Sequence, residues 1–430
     1  MIIDFGVDGF KYITDDTTQI NKSTMFLKTD QNSHYFDRLE ERPSSITPLE
    51  LISIWNIDTL KIVGVTGTNG KTTVTASIYS FLLDLEYKPA LQGTRGFFAI
   101  EERVDEKSMT TPSILETLYN MRRAIGYGCD YFIMEVSSHA IDQNRIEGLS
   151  FALKVHTNVT RDHLDYHGSV EEYRRVKSLF FADNSPKLLN KDDIKNITYN
   201  PINAQSYGVD EPATFKVQAF SLLDGITVGV KHLTKEASFQ SPMIGLFNLF
   251  NLMAGVGAVV MLTGRSIDEV CEVVENFAGV SGRMEIVSHK PLVVVDFAHT
   301  DDGMYQVLDS IKDRDISVVF GAGGDRDRGK RPKMGAVAGR FAKRIYVTSD
   351  NPRGEVAEVI LEEILVGLRG KDNVTATPDR KLAIKIALEQ MGDDDILLIL
   401  GKGDEEYQEI NGVKYPFDDR VVVRELLDIN

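Results

Sequence analysis

Short apolar runs alternate with longer stretches whose apolar positions recur every three to four residues, from about residue 46 to the end of the chain. Residues 61–66, 131–136 and 153–157 read as buried strands, and 113–125 and 170–181 as amphipathic helices. Such alternation predicts a parallel sheet covered by helices. The pattern changes over 196–242, a β-rich, turn-broken insert, and helices are expected next at 249–262 and 267–277. After Gly282-Arg283 the alternation restarts, with strands at 292–297, 317–320, 344–348 and 396–400. Residues 1–45 are polar and irregular, and Arg42-Pro-Ser-Ser-Ile-Thr-Pro48 reads as a linker. The expected organisation is α/β throughout: a short N-terminal module over 1–45, a central domain over 46–282 and a C-terminal domain over 283–430.

Composition agrees with a multi-domain enzyme. The chain has 430 residues, 42% of them hydrophobic and 26% charged, enough to bury large cores. A net charge of −16 argues against nucleic acid or an anionic membrane as partner. Cys129 and Cys271 sit in apolar surroundings and read as buried thiols, not a disulfide framework. The start, Met1-Ile-Ile-Asp-Phe5, lacks the basic and apolar regions of a signal peptide, and the apolar run at 252–262 is short for a bilayer. A cytoplasmic protein is expected, acting as a monomer on small molecules.

The first candidate chemistry is Gly64-Val-Thr-Gly-Thr-Asn-Gly-Lys-Thr-Thr73, a glycine-rich loop between the strand at 61–66 and an apolar helix. Unpaired N–H groups at a helix start, reinforced by the helix dipole, can surround a phosphate. Lys71 would supply a point charge for the outer phosphates and the Thr72 hydroxyl could hold Mg²⁺. The spacing departs from the usual pattern, which places glycine where Val65 stands. Strand before and helix after still point to nucleoside triphosphate binding.

Other strand ends carry chemistry too, where open α/β sheets place their ligands. Glu135 follows an apolar strand and suits Mg²⁺ near a phosphate loop. Asn158-Val-Thr-Arg-Asp-His-Leu-Asp-Tyr-His167 puts two histidines and two aspartates within six positions, marking His163 as a metal ligand. Lys177, on the next helix, reads on its own as an ordinary surface lysine.

Together these motifs have a family pattern. Thr66-Gly-Thr-Asn-Gly-Lys-Thr72, Glu135-Val-Ser-Ser-His139, Asp162-His-Leu-Asp165 with Lys177, Phe247-Asn248, Gly282-Arg-Met-Glu285 and Asp296-Phe-Ala-His-Thr300 resemble the Mur ligase family. Gly323-Gly-Asp-Arg-Asp-Arg-Gly-Lys-Arg331, Asp350-Asn-Pro-Arg353 and Gly401-Lys-Gly403 with Glu405 resemble its diaminopimelate-adding branch. The resemblance runs from about residue 60 to the C-terminus. It implies a three-domain architecture: a P-loop-type parallel-sheet central domain and a Rossmann-like C-terminal α/β domain, preceded by a short UDP-binding-type N-terminal module.

The resemblance also implies ATP-driven amide formation through an acyl phosphate in peptidoglycan precursor synthesis. The substrates would be ATP, UDP-N-acetylmuramoyl-L-alanyl-D-glutamate and meso-diaminopimelate. Gly67, Thr68, Asn69, Gly70, Lys71, Thr72 and Thr73 would hold the ATP phosphates, with Arg283 at the γ-phosphate, Asn248 at adenine, Asp296 at ribose and His299 nearby. Thr72 and Glu135 would ligate one Mg²⁺ and His163 a second. Lys177 would be carbamylated by CO₂, since an ammonium beside Mg²⁺ is repelled. Thr110, Thr111, Ser137, Gln143 and Arg145 would bind the muramoyl peptide. Arg353 would read the distal carboxylate of diaminopimelate through its two-pronged fork. Arg326, Asp350, Asn351, Gly401 and Glu405 would complete that pocket.

Two departures stand out. Asp404 occupies the place of a family histidine, and the N-terminal module carries Asp15-Asp-Thr-Thr-Gln19 in place of an Asp-Ser-Arg-type motif, so no UDP contacts are assigned in 1–45. The alternatives are a lysine-adding Mur ligase, against which Arg353 counts, and a folylpolyglutamate synthase-like ligase, against which the Asp-Arg motif and His163-Leu-Asp-Tyr-His167 count. A nucleotide-dependent binding protein without turnover is the alternative outside enzymes, and the dense ligand set counts against it.

Overall fold

Strand Lys61–Thr66 stands inside an 11-stranded sheet, between Phe151–His156 and Tyr131–Glu135, and is parallel to both. Its last five residues are buried, as an interior parallel strand covered on both faces must be. Gly64 lets two aromatic rings close over it, because a Cβ there would lie 2.7 Å from Phe151 and Phe180. The computed structural model that describes this fold covers residues 1–7, 9–106, 109–223, 225–312, 314–392 and 394–429, apart from the Asp165 side chain.

The chain divides into two compact units. The first comprises residues 1–221, 227–241 and 250–277, and the second residues 222–226, 242–249 and 278–430. In the first unit the parallel strands are flanked by antiparallel ones, Gly96–Ala99 and Glu102–Asp105 at one edge, with Ile226–His232 antiparallel to Phe215–Ser221 toward the other. The β-rich stretch expected at 196–242 thus extends the main sheet.

Residues 1–46 are more regular than their polarity suggests. Ile2–Val7 pairs antiparallel with Phe10–Thr14, which pairs parallel with Thr24–Leu27, and that strand pairs parallel with Ser45–Ile46. Ile3 and Phe5 point inward while Asp4 and Gly6 face out, a period-two pattern too short to stand out in sequence. The stretch read as a linker is also structured. Ser45–Ile46 is a strand, and Thr47 and Glu50 form a reciprocal capping box opening helix Pro48–Ile54.

The second unit is built on a 6-stranded sheet in the order Glu285–His289, Leu292–Asp296, Ile396–Leu400, Ile316–Phe320, Arg344–Val347, Val374–Ala376. The first strand is antiparallel and the other neighbours are parallel. Asp296, Gly321, Thr348 and Gly401 therefore all emerge at the carboxyl edge, the usual place for ligands. Helix Leu246–Thr263 is longer than the apolar run read from sequence. Its 18 residues have a mean hydropathy of 1.8 and 67% are buried, the pattern of a core helix.

Candidate active site

In the first unit, three strand ends meet around the phosphate loop. The loop is pinned from below by the segment after Phe151–His156. Thr68 N donates to Asn158 O at 2.7 Å, Asn69 N to Asn158 Oδ1 at 3.0 Å, and Thr157 Oγ1 to Asn69 O at 2.6 Å. Gly67 is required by this closeness, since a Cβ would collide with Thr157 Oγ1. Gly70 caps helix Lys71–Asp84 at φ 85°, left-handed backbone that favours glycine, and a Cβ would meet Asn251 Oδ1. Lys71 folds back over the loop, donating to Gly67 O and Thr68 O at 2.8 Å each. Thr73 is buried in the first helical turn.

Thr72 Oγ1 donates to Glu135 Oε2 at 3.0 Å. Glu135 is buried, and Thr94 N reaches its other oxygen at 2.9 Å. A hydroxyl and a carboxylate so placed form a hard oxygen pair of the kind Mg²⁺ takes. Lys177 is buried too, which excludes the surface-lysine reading. It faces inward because Tyr173 and Val176 share the buried side of helix Val170–Leu179. Its Nζ donates to Gly67 O at 3.0 Å and Thr66 Oγ1 at 3.3 Å. Burial, with the nearby charge of Lys71, pushes its pKa well below the ordinary lysine value.

His163 adopts a left-handed backbone with φ 51° and is half-exposed, with Asp162 Oδ2 3.4 Å from its Nε2. Its ring lies 4.8 Å from the His139 ring and 6.5 Å from that of Tyr173. Tyr173 Oη in turn meets Thr68 Oγ1 at 3.0 Å. Among the described residues no three His, Cys, Asp or Glu side chains gather as a metal set. Any cation here would therefore need donors such as Thr72 besides Glu135.

The residues predicted for the muramoyl peptide form one network beside Glu135. Thr111 Oγ1 donates to Glu135 O at 2.9 Å and accepts from Ser137 N at 3.0 Å. Arg145 Nη1 donates to Thr111 O at 2.9 Å, and its Nε donates to Gln143 Oε1 at the same distance. Thr110 Oγ1 lies 3.0 Å from Thr94 Oγ1. Thr94, Asn158, Tyr173 and Asn251 touch the candidate site residues and were missed by sequence reasoning. Only Asn158 had a signal, as the first residue of a polar cluster ending a strand.

In the second unit, Asp296 ends its strand buried, with Oδ2 accepting from Met284 N at 2.8 Å and Oδ1 from Ala298 N at 2.7 Å. Burial raises its pKa, against the opposing charge of Arg283. Each oxygen keeps a second lone pair for a hydroxyl. The Arg283 guanidinium stacks 4.2 Å above the Phe297 ring, and His299 is exposed with its ring 4.8 Å from the same Phe. Asn248 is buried, its Nδ2 donating to Ile244 O at 2.9 Å.

The predicted amino-acid residues lie on facing loops of this unit. Asn351 Nδ2 donates to Glu405 Oε2 at 2.8 Å, and Asn351 Oδ1 accepts from Lys402 Nζ at 3.2 Å. Lys402, which sequence reasoning missed, is fully buried, with Glu405 at 3.2 Å and Asp350 at 3.8 Å. Its signal was a lysine flanked by glycines at a strand end. Gly401 has φ 114°, and a Cβ there would lie 2.6 Å from Asp350 Oδ2. Arg353 Nη1 donates to Gly324 O at 2.9 Å. Arg326 is exposed on a loop held by Glu355, which accepts from Asp325 N at 2.7 Å and from the buried Arg331 at 2.8 Å.

A family model described as Mur ligase middle domain matches residues 65–259, and one described as Mur ligase, glutamate ligase domain, matches residues 282–403. The UDP-N-acetylmuramoyl-L-alanyl-D-glutamate--2,6-diaminopimelate ligase of Wolinella succinogenes is 51% identical over 418 residues, spanning 97% of this chain and 96% of its own. The Helicobacter pylori protein of the same name is 47% identical over 427 residues, spanning 97% and 95%. A solved structure of a UDP-N-acetylmuramoyl-L-alanyl-D-glutamate--2,6-diaminopimelate ligase matches with a TM-score of 0.69 at 31% identity, over 97% of this chain and 94% of that one.

Proposed function

The chain belongs to the Mur ligase family, and from that premise we propose how its residues divide one reaction. The protein is an ATP-dependent, ADP-forming ligase that adds 2,6-diaminopimelate to UDP-N-acetylmuramoyl-L-alanyl-D-glutamate. The observation that carries this is identity near one half, over nearly the whole chain, to ligases of that name.

In the proposed course, the D-glutamate γ-carboxylate attacks the γ-phosphorus of ATP and ADP leaves, forming an acyl phosphate. An amine of meso-diaminopimelate then attacks the acyl carbon, loses a proton and expels inorganic phosphate, leaving an amide. Negative charge crowds the first step, so positioning and cations dominate its catalysis. The backbone of Gly67, Thr68, Asn69 and Gly70, the N-terminal turn at Thr73 and the ammonium of Lys71 hold the phosphates. Arg283 meets the γ-phosphate, Asn248 adenine and Asp296 the ribose, with His299 beside them. Thr110, Thr111, Ser137, Gln143 and Arg145 orient the acceptor. Their hydrogen bonds to the backbone and neighbours of Glu135 support this reading.

Thr72 and Glu135 would hold one Mg²⁺ and His163 with Lys177 a second; bound there, these ions offset charge between carboxylate and γ-phosphate. The 3.0 Å pairing of Thr72 with Glu135 supports the first position. Burial supports a carbamate on Lys177, because it favours the neutral amine, the form that takes up CO₂. In the amino-acid pocket Arg353 takes the distal carboxylate, Arg326 the other, and Asp350, Asn351, Gly401 O and Glu405 the ammonium groups. A cytoplasmic monomer without nucleic-acid or membrane partners suits small nucleotide substrates and a net charge of −16.

Phosphate release measured with UDP-muramoyl dipeptide and ATP tests the reading. Release should depend on meso-diaminopimelate and be weak with L-lysine or L-ornithine. Equal rates with lysine would overturn the assigned amino acid.

A further inference from the structure

Beyond the pocket residues already assigned, one acidic side chain stands against Arg353. The chain from Tyr407 to Pro416 forms a hairpin of Tyr407–Ile410 and Val413–Pro416. Its turn, Asn411-Gly412, has φ of 50° and 78°, the left-handed pair that matches the twist of a two-residue hairpin loop. Arg353 is itself left-handed, φ 51°, an uncommon state for a residue with a side chain. The hairpin holds it there. Arg353 N donates to Glu409 O at 3.0 Å, and Asn411 N donates to Arg353 O at 2.7 Å. Glu409 N donates to Asn351 Oδ1 at 2.9 Å.

The side chain adds to this clamp. Glu409 Oε2 lies 3.5 Å from Arg353 Nε, while Nη1 of the same guanidinium is held by Gly324 O. Contacts at two of its nitrogens restrict how the fork can turn, and bidentate recognition of a carboxylate requires a set orientation. At 3.5 Å the Glu409 contact is longer than a good hydrogen bond, so it guides the fork without saturating it. Lys414, paired opposite Glu409 in the hairpin, lies 4.2 Å over the Tyr407 ring. We propose that Glu409 is a positioning residue for diaminopimelate, setting the orientation of the Arg353 fork. This rests on the reading of Arg353 as the group for the distal carboxylate. A lysine substrate lacks that carboxylate and makes no use of the fork.

Steady-state kinetics of the full-length enzyme, with saturating ATP and UDP-muramoyl dipeptide, test this. Glu409→Ala should raise KM for meso-diaminopimelate by about 3- to 10-fold, toward the lower end of coupling between contacting side chains, with kcat changed less than about twofold. Glu409→Gln, which keeps an acceptor at the same place, should recover part of that loss. Arg353→Ala should raise the same KM by about 30- to 1000-fold. The double variant should be no worse than Arg353→Ala alone, because Glu409 acts through it. Additive losses, a fall in kcat without a KM change, or an equal loss with L-lysine would overturn the role of Glu409 and leave the pocket reading standing. If Arg353→Ala leaves KM for diaminopimelate unchanged, the pocket reading fails and the positioning role with it.

Discussion

At the phosphate loop of the first unit, geometry is set by backbone atoms. Thr68 and Asn69 amides bond to Asn158, Gly67 lies where no Cβ fits, and Lys71 and Lys177 both donate to the carbonyl of Gly67. At the amino-acid set of the second unit, geometry is set by side chains holding one another. Lys402 sits among Asp350, Asn351 and Glu405, and Arg331 between Glu355 and Glu363. The difference fits the ligands proposed for the two sets. Triphosphate is the same in every nucleotide and can be gripped by peptide N–H groups that all residues share. A particular amino acid must be told from its analogues, which takes charged groups at defined positions that leave an unsatisfied partner when the wrong one binds.

The largest expected effect probes whether Lys177 belongs to the backbone-held side as a brace or acts as a carbamate. Lys177→Ala should lower ligase turnover by roughly 1000-fold, and formate or acetate should restore part of it by standing in for the lost carboxylate. Lys177→Arg should fail despite its charge, since guanidinium does not form a carbamate. Were Lys177 only a donor to Gly67 O, arginine would substitute and small carboxylates would do nothing.

Gly67→Ala comes next. Its Cβ would collide with Thr157 Oγ1, displacing the loop from the segment that braces it. A displacement near 1 Å costs about 100-fold in rate, so ATP-dependent phosphate release should fall by that order while the melting temperature drops only slightly. A double variant with Thr157→Ala should recover activity. No recovery would mean that the backbone at Asn158, and not the hydroxyl, sets the limit.

The smallest effect concerns the charged frame of the second unit. The hydrogen bonds from Arg331 pull the Glu355 carboxyl from the ordinary 4.5 to about 2. A carboxylate with a depressed pKa stabilises the fold fully above its unfolded value and loses that contribution as pH falls toward the folded one. Stability followed by circular dichroism should therefore decline between 4.5 and about 2, and Glu355→Gln should flatten that part of the curve. The first unit's phosphate loop, held by bonds of peptide, amide, hydroxyl and lysine groups in which no carboxylate takes part, should contribute no matching slope. An unchanged acid profile in Glu355→Gln would show that other groups hold the Arg326 loop.

Much of the fold is legible in the residue pattern. The strands expected at 61–66 and 396–400 coincide with those observed, because long apolar runs bounded by glycine leave little choice of element. The N-terminal sheet is not legible in this way. Ile2–Val7 and Phe10–Thr14 are short and partly exposed, and Thr24–Leu27, though buried throughout, is only four residues long and set among polar ones. Lys177 shows the same limit on the site side. A helix of the composition Val-Glu-Glu-Tyr-Arg-Arg-Val-Lys-Ser-Leu does not say which of its basic residues turns inward.

The sequence by itself determined which residue types stand at each strand end, and hence which chemistry the chain could support. Glycine spacing, a lysine before a threonine, and a carboxylate after an apolar strand are local features, fixed by covalent order and read without knowing the neighbours. Only the tertiary structure decided who meets whom across long separations. It set Thr111 against Glu135, Asn158 against the phosphate loop, Lys402 among Asp350, Asn351 and Glu405, and Glu409 beside Arg353. The physical reason is that burial and pairing depend on which strands become neighbours in a sheet. That order, with Ile396–Leu400 between strands far earlier in the chain, is set by packing of the whole domain and not by any local pattern.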